Sequence, residues 1–202
     1  MPSIASALLL SLAALLCPVS NGQAHVDTAR AYVGTIEDGP NSGPHIKRFL
    51  ASVGLGEGPP YCAAFVSFTL SAPTCQAEFP QIRSALASKF ITARSIKASH
   101  ALRGADVPVG SLVIWLRGRT IFGHIGIVLA WDGRCGTTLE ANTSGTVFGD
   151  QREGDGVFIK QRCIEPNNYF RIVSFTPVIY DYSDPCFLVT DSPGTICPRQ
   201  PE

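Results

Sequence analysis

The pattern of apolar and polar positions changes near Val107. Before this residue, apolar stretches that are typical of helices alternate with loops rich in Gly and Pro. After it, short apolar runs bounded by turn residues are typical of β-strands. Helices followed by strands predict an α+β fold, in which N-terminal helices pack on an antiparallel β-sheet meander.

Three helices are predicted in the first half of the chain. The first is short and covers "HVDTARAYV" at 25–33. The second begins at Pro44 and ends at Gly54, because Pro is favoured at the start of a helix and Gly just past its end. The third is the apolar run 61–71, which we expect to be buried. The segment 74–104 is polar and only weakly helical.

Five strands are predicted in the second half. Their segments are 111–116, 123–131, 137–142, 156–162 and 169–177. A turn signal, "WDGRC", joins the second strand to the third. A three-residue loop at this turn pairs Trp131 with Cys135 and thereby sets the register of the two strands.

The N-terminal stretch has the features of a signal peptide. Residues 4–16, "IASALLLSLAALL", have the length of a signal-peptide core and are too short to span a bilayer comfortably. Small residues in "GQA" predict cleavage near Ala24. Lipidation of Cys17 is the less favoured alternative, because Leu16 is bulkier than a lipobox usually carries at that position. We therefore expect a secreted protein, periplasmic or extracellular, with no membrane association after cleavage.

Charge narrows the possible partners. Lys plus Arg number 16 and Asp plus Glu also number 16, which argues against nucleic acid and gives no polybasic signal for a membrane surface. The chain divides into a signal peptide at 1–24, one domain at 25–181 and a short tail with Cys and Pro at 182–202. Nothing in the pattern indicates an oligomeric state.

Six cysteines remain when Cys17 is set aside. They are Cys62, Cys75, Cys135, Cys163, Cys186 and Cys197. A secreted chain favours disulfides, and the absence of a CxxC pair argues against a zinc knuckle. We expect a small loop closed by Cys186 and Cys197, a possible bridge between Cys135 and Cys163, and an unpaired Cys75. A structural Cys62 would allow three bridges, and a catalytic one at most two.

The second strand carries a histidine on a face of small residues. His124 alternates with Gly126, Val128 and Ala130, which leaves room for a group to lie across this face. The register set by the turn places Asn142 directly opposite His124, with Glu140 as the diagonal neighbour. Two residues able to orient an imidazole therefore share its face.

Cys62 stands at the start of the third helix, in "PYCAAFVSF". A helix N-terminus favours a thiolate through the macrodipole, and a nearby imidazolium adds to this effect. A third group that holds the imidazole completes the arrangement of a cysteine nucleophile. Cys62, His124 and the pair Glu140 and Asn142 supply these parts in that chain order.

These residues resemble the CHAP family, within the NlpC/P60 papain-like group. The resemblance is carried by "PYCAAFVSF", by "VPVGSLVIWL" before "GHIGIVLAWDG", and by "LEAN", and it extends over roughly residues 27–178. It implies a papain-like fold and a cysteine peptidase or amidase that cuts peptidoglycan. The bond would be either the N-acetylmuramoyl-L-alanine amide or a peptide bond of the stem or cross-bridge.

The resemblance also implies roles for individual residues. Cys62 would attack the carbonyl, and His124 would act first as general base and then as acid. Glu140 and Asn142 would orient His124, with Asn142 the closer by the register argument. Tyr61 would help line the oxyanion site, next to the backbone N–H of Cys62. No cofactor is required.

Other residues near these motifs carry weaker signals. Asn41 in "GPNSGP" could face the groove, although this loop is more typical of a turn. Glu37 and Asp38 are too few to predict a calcium site, so no metal is expected. "NTS" at 142–144 is a glycosylation sequon that we interpret as a chance match.

Two other functions remain open. The first is a catalytically inactive, disulfide-stabilised secreted binding protein on the same fold, for which Cys62 in a disulfide would be the signature. The second is an enzyme of this fold that acts on other amides, such as a transferase or a toxin against a competitor's wall. The remaining histidines, His25, His45 and His100, are expected at the surface.

Overall fold

The computed structural model describes residues 23–71, 78–145 and 154–180. The predicted signal peptide, Cys75, and the tail at 182–202 with its cysteine loop lie outside these residues. Within the described part, the structure is α+β, as the sequence predicts, with most of its helices before the strands of a six-stranded antiparallel sheet. No helix in these ranges is both long enough and apolar enough to cross a membrane.

The predicted helices and strands are confirmed to within a few residues. The helices are α1 Ala24–Arg30, α2 Pro44–Ala51, α3 Cys62–Leu70 and α4 Ala98–Ala101, with a 3₁₀ turn at Ala87–Phe90. The strands are β1 Ile96–Lys97, β2 Leu112–Arg117, β3 Gly123–Trp131, β4 Cys135–Thr143, β5 Gly156–Cys163 and β6 Phe170–Thr176. Strand β1 and helix α4 were not predicted, because the polar segment that contains them has no clear periodicity.

The sheet is only partly a meander, which corrects the prediction. Its strand order is β1-β6-β2-β3-β4-β5, so β2 to β5 follow one another but β6 returns to pair with β2. The reason lies in β2 itself, where the residues from Leu112 to Trp115 are all buried. A strand that is apolar on both faces belongs in the middle of a sheet and needs a neighbour on each side.

Apolar residues of alternate parity fill the two sides of the sheet. Leu112, Ile114, Ile125 and Ile127 pack with α1, α2 and α3 in the larger core cluster. Side chains on the opposite face of the sheet pack with α4 in a smaller cluster, which includes Val113, Trp115, Ile172 and Phe175. Helix α3 is buried almost all round, as its continuous apolar run predicts. This burial fixes the position of the helix whose first residue is Cys62.

A disulfide joins β4 to β5. Cys135 and Cys163 are directly paired in the sheet register and are bonded through their sulfur atoms, which confirms the bridge expected between them. The bond ties the start of β4 to the end of β5, at the end of the sheet far from residue 142.

His25 is buried, so the expectation of a surface position is wrong for this residue, whereas His45 and His100 are exposed. Its Nε2 donates to the carbonyl oxygen of Gly110 at 2.7 Å, which leaves Nδ1 to accept from the hydroxyl of Tyr180 at 2.7 Å. Burial lowers the pKa of His25 to about 4 and outweighs the Gly110 hydrogen bond. A neutral imidazole therefore ties α1 to the start of β2 and to Tyr180.

This neutral imidazole makes stability depend on pH. Unfolded His25 binds a proton below about pH 6.5, whereas in the folded chain it stays neutral down to about pH 4. Its contribution is therefore complete above pH 6.5 and is lost as the pH falls towards 4. Between pH 7.5 and 4.5 we expect the wild type to lose about 2–3 kcal/mol more stability than His25→Gln. Urea unfolding at several pH values measures the difference, and parallel profiles for the two proteins would contradict it.

Candidate active site

Cys62 is a free, nearly buried thiol at the first position of α3, with 7% of its surface exposed. The helix begins here because Tyr61, in a non-helical conformation, accepts the first intrahelical bond from the N–H of Phe65 at 2.8 Å. The first N–H groups of a helix have no partner within it. The N–H of Cys62 therefore points out of the helix end beside its own sulfur.

His124 lies at the start of β3, directly opposite Trp115 on β2. It is 4% exposed, and its ring lies 5.3 Å from the Trp115 ring, centroid to centroid. Its Nε2 contacts Oε2 of Glu140 at 3.0 Å. Since Nε2 is occupied in this way, Nδ1 is the nitrogen left to face Cys62.

Glu140 is fully buried and every lone-pair direction of its carboxylate is used. Its Oε1 accepts from Oγ1 of Thr138 at 2.6 Å and from Nε of Arg162 at 2.8 Å. Its Oε2 accepts from Nη2 of Arg162 at 2.8 Å and from His124. A buried carboxylate is tolerated when it is paired and hydrogen-bonded in this way. The bidentate arginine holds the carboxylate in one orientation towards the imidazole.

Gly126 provides the space that Glu140 occupies. A Cβ at residue 126 would lie 2.7 Å from Cγ of Glu140 and 3.0 Å from the carbonyl oxygen of Leu139. The room that small residues leave beside His124 is thus filled, at least in part, by the carboxylate side chain itself. Any larger residue at 126 would push Glu140 away from its partners.

The charged forms of His124 and Glu140 stabilise each other. Burial alone would lower the pKa of His124, but hydrogen bonds and negative charge from Cys62 and Glu140 outweigh it and raise the pKa to about 9. Burial alone would raise the pKa of Glu140, but Arg162 and His124 outweigh it and lower that pKa to about 2. Near neutral pH, an imidazolium therefore lies between the sulfur of Cys62 and an ionised Glu140 that Arg162 neutralises.

The pairing of β3 with β4 beside His124 is the one that the turn predicts, but the pairing at the end of the hairpin differs from the prediction. Gly126 pairs with Glu140, as expected, whereas a bulge near Ala130 makes Trp131 pair with Gly136 instead of Cys135. The extra residue lies in β3 between Val128 and Ala130, and the connection from Trp131 to Gly136 has four residues instead of the predicted three. The faces of β3 and β4 are therefore assigned correctly at the site.

Asn142 does not take the role that the register argument assigned to it. It has a left-handed backbone, φ 56°, at a bulge in the pairing of β4 with β5. This turns its side chain towards the helix, where Oδ1 accepts from the N–H of Tyr61 at 3.2 Å. Glu140, the diagonal neighbour, is the residue that holds His124.

Asn41 and Asn142 together hold the loop before Cys62, and we name this pair the latch. Oδ1 of Asn41 accepts from Nδ2 of Asn142 at 2.9 Å, and Nδ2 of Asn41 donates to the carbonyl oxygen of Gly58 at 2.9 Å. Its backbone, also left-handed at φ 49°, accepts from the N–H of Gly58 at 3.1 Å. Asn41 and Asn142 therefore fix the backbone on both sides of the turn that leads into Cys62. An amide used in this way agrees with the interpretation of the sequon as a chance match.

The side chain of Tyr61 lies in the core and not at an open surface. It is 0% exposed and its ring lies 6.1 Å from that of Phe49. Burial and the negative charge of Glu37 raise the pKa of its phenol well above the usual range. Its hydroxyl makes no hydrogen bond of ordinary geometry with the described residues. The contribution of Tyr61 to the site is therefore its backbone, which is a correction to the expected lining role.

Arg162 and Thr138 were missed by sequence reasoning. Both lie on the face of Glu140, Thr138 two residues before it on β4 and Arg162 on the adjacent β5. The available signal was physical, since a carboxylate on an inward face needs a cation within reach. "KQR" on the next predicted strand offered one, but the side of β4 on which that strand lies could not be read from the pattern.

Comparisons with protein-family models, with curated proteins and with solved structures found no match to this chain. Among residues 23–71, 78–145 and 154–180, no group of three or more His, Cys, Asp or Glu side chains is arranged to hold a metal ion.

The Gly126→Ala variant tests whether the small residue places Glu140. The added methyl should displace the carboxylate, lower the pKa of His124 from about 9 and cost about 1–3 kcal/mol of stability. NMR titration of the His124 ring measures the pKa. Gly56→Ala is the matched control, because a Cβ at 56 meets nothing within 4 Å. An unchanged titration would show that Glu140 does not depend on the space at 126.

The Asn142→Gly variant tests the latch. Glycine accepts the φ of 56° without strain, so only the amide side chain is lost. We expect amide exchange at Tyr61 to become about fivefold faster or more, because its hydrogen-bond acceptor is gone. Gly126→Ala should not change exchange at this amide. Unaltered exchange at Tyr61 in Asn142→Gly would contradict the latch.

Proposed function

We propose that the protein is a secreted cysteine peptidoglycan hydrolase that cleaves an amide bond by a Cys–His–Glu mechanism. The observation that carries this proposal is a free Cys62 at a helix start, beside an imidazole that a buried Glu140–Arg162 ion pair holds in place. Such an arrangement matches what a thiolate nucleophile requires. A purely structural cysteine has no need of an oriented imidazolium.

The CHAP-like, papain-like assignment is part of the proposal. It is supported by the order of the elements, in which a helix that begins with the cysteine precedes a sheet whose longer strands carry the histidine and then the glutamate. It is also supported by the motifs around Cys62, His124 and Glu140. The choice of peptidoglycan as substrate rests on the resemblance of those motifs to the CHAP family.

The chemistry follows from an ion pair between the Cys62 thiolate and the His124 imidazolium. The Cys62 thiolate attacks the amide carbonyl carbon, and the carbonyl oxygen takes up the negative charge near the N–H of Cys62 at the helix end. His124 donates its proton to the leaving nitrogen as the C–N bond breaks, which leaves a thioester. The neutral imidazole then takes a proton from water, whose oxygen attacks the thioester carbonyl. The thiolate leaves, the carboxylic acid product departs and the ion pair is restored.

Glu140 acts on this cycle through His124. Its carboxylate accepts from Nε2 and keeps Nδ1 directed at the sulfur throughout both half-reactions. Arg162 neutralises Glu140, so the carboxylate can orient the ring without adding an uncompensated charge to the site. Both residues are therefore positioning residues in this mechanism, whereas Cys62 and His124 touch the reacting atoms.

Secretion is also proposed on combined grounds. The disulfide between Cys135 and Cys163 is typical of an oxidising compartment, and the N-terminal stretch has the pattern of a signal peptide. Peptidoglycan is found in such compartments, so the location and the substrate agree.

The feature expected of an inactive binding protein, a disulfide at Cys62, is not found in the described part of the chain. That alternative predicted Cys62 within a disulfide, whereas the thiol is free. A purely structural Glu140–Arg162 pair would also not need an imidazolium beside a free thiol, which is the arrangement found here. Enzymes of this type that act on other amides remain rivals that the substrate test separates.

The test compares the wild type with Cys62→Ala on purified insoluble peptidoglycan, with mass spectrometry of the released fragments. We expect fragments from the wild type alone, because the alanine variant lacks the nucleophile. New N-acetylmuramic acid ends would identify an amidase, and new peptide termini an endopeptidase. Release by neither protein, with both folded, would overturn the proposal, and equal release by both would show that Cys62 is not the nucleophile.

A further inference from the structure

Three large apolar side chains stand out of the surface at the end of the sheet where His124 lies. Ile121 and Phe122 belong to the hairpin turn between β2 and β3 and are 60% and 64% exposed. Tyr169, in the turn before β6, is 63% exposed. They are the most exposed large apolar residues of the described chain. With Arg117 and Arg119 of the same hairpin, we name them the tip surface.

The hairpin holds these side chains outward rather than leaving them loose. Arg117 donates its N–H to the carbonyl oxygen of Phe122 at 2.9 Å, and Thr120 bonds back to the carbonyl oxygen of Arg117 through both its N–H and its hydroxyl, at 3.0 and 2.7 Å. The N–H of Phe122 in turn donates to the Thr120 hydroxyl at 3.3 Å. The turn is therefore pre-organised, which lowers the entropy lost when a ligand binds.

Tyr169 is fixed against the same hairpin. The N–H of Gly118 donates to the carbonyl oxygen of Tyr169 at 2.7 Å. Gly118 has φ 58°, and a Cβ there would lie 2.5 Å from Cε2 of the Tyr169 ring. Only glycine lets the ring lie this close to the hairpin. Two separate turns thus combine into one exposed aromatic surface.

The tip surface continues the row of side chains that contains His124. Phe122 precedes His124 by two residues, and Arg117 follows Trp115 by two residues, so the pair lies about 7 Å further along the strands. Arg117 is flanked by Phe122 on one side and by Phe170, its partner on β6, on the other. A polymer bound at His124 would therefore extend over these residues.

The tip surface is cationic in a chain with no net charge. Between residues 107 and 131 the only charged side chains besides the buried His124 imidazolium are those of Arg117 and Arg119, and both arginines are exposed. Half-buried Arg171 lies opposite Leu116 on the neighbouring strand. The one acid in the β5–β6 turn, Glu165, accepts from Nδ2 of Asn168 at 3.1 Å. An anionic partner with apolar faces fits this combination.

We infer that the tip surface is a substrate-binding surface for the peptidoglycan strand. Its arginines would bind carboxylates of the stem peptides, while Phe122 and Tyr169 would pack against sugar rings and apolar side chains. This inference rests on the proposed function, since it names the part of the molecule that holds that substrate. It assigns affinity for the polymer to the hairpin and bond cleavage to Cys62 and His124.

Co-sedimentation with purified insoluble peptidoglycan tests the surface without any cleavage. All proteins are full chains in a Cys62→Ala background. Phe122→Ala and Arg117→Gln should each bind about tenfold more weakly than the background protein, as expected for an aromatic or arginine residue at the centre of an interface. The arginine effect should shrink as salt is raised.

Matched controls lie elsewhere on the sheet. Arg134→Gln removes an exposed arginine from the hairpin at the opposite end, and Ile159→Ala removes a side chain that is 46% exposed on β5. Both should bind as the background protein does. Equal binding by the tip variants and the controls would overturn the inference.

Three further outcomes can be distinguished. If the tip variants bind peptidoglycan normally but lose binding to vesicles of phosphatidylglycerol and phosphatidylcholine, the surface is a membrane contact and the inference is wrong. If the wild type cleaves peptidoglycan while the tip variants bind it as well as the background protein does, the proposed function is supported and the proposed binding surface is wrong. If the background protein binds through the tip but the wild type releases no fragments, the hydrolase proposal fails and the binding surface stands.

Discussion

The buried carboxylate of Glu140 is the group around which the site is built. It has no access to solvent, so it must be compensated by Arg162, His124 and Thr138 together. These partners come from three adjacent strands, and the sheet must therefore hold β3, β4 and β5 in one register. A shift of one residue would reverse every side chain and leave an unpaired charge in the interior. The same interaction that sets the fold of this half of the chain directs the imidazole.

This dependence explains which parts could be read from the sequence. The alternation of β3 placed His124 and Gly126 on one face, and the turn at 131–135 gave the register beside His124 even though a bulge moved the hairpin end. The helix that begins with Cys62 followed from a proline-led loop and an unbroken apolar run. Each of these is a local pattern, in which spacing along the chain maps directly onto a face or an end.

Contacts between distant segments of the chain could not be predicted from the sequence. Arg162 reaches Glu140 only because β5 lies beside β4, and Asn41 meets Asn142 across 101 positions of the chain. The misassignment of Asn142 has a definite cause, since a left-handed φ at a bulge is a backbone choice that no side-chain periodicity records. His25 was placed at the surface for a similar reason, because its partners Gly110 and Tyr180 lie 85 and 155 residues away.

Strand β4 links the two halves of the site. Glu140 orients His124, and Asn142, two residues later, holds the backbone that leads into Cys62. The relative position of sulfur and imidazole is therefore set by one short piece of β4, rather than by the long chain between residues 62 and 124. Movements of the surrounding loops would then have little effect on the distance between sulfur and imidazole, whereas a distortion of β4 between 140 and 142 would displace both groups at once. The bulge at 142 is what makes this possible, because in a regular strand both side chains would face the same way and the latch to the helix could not form.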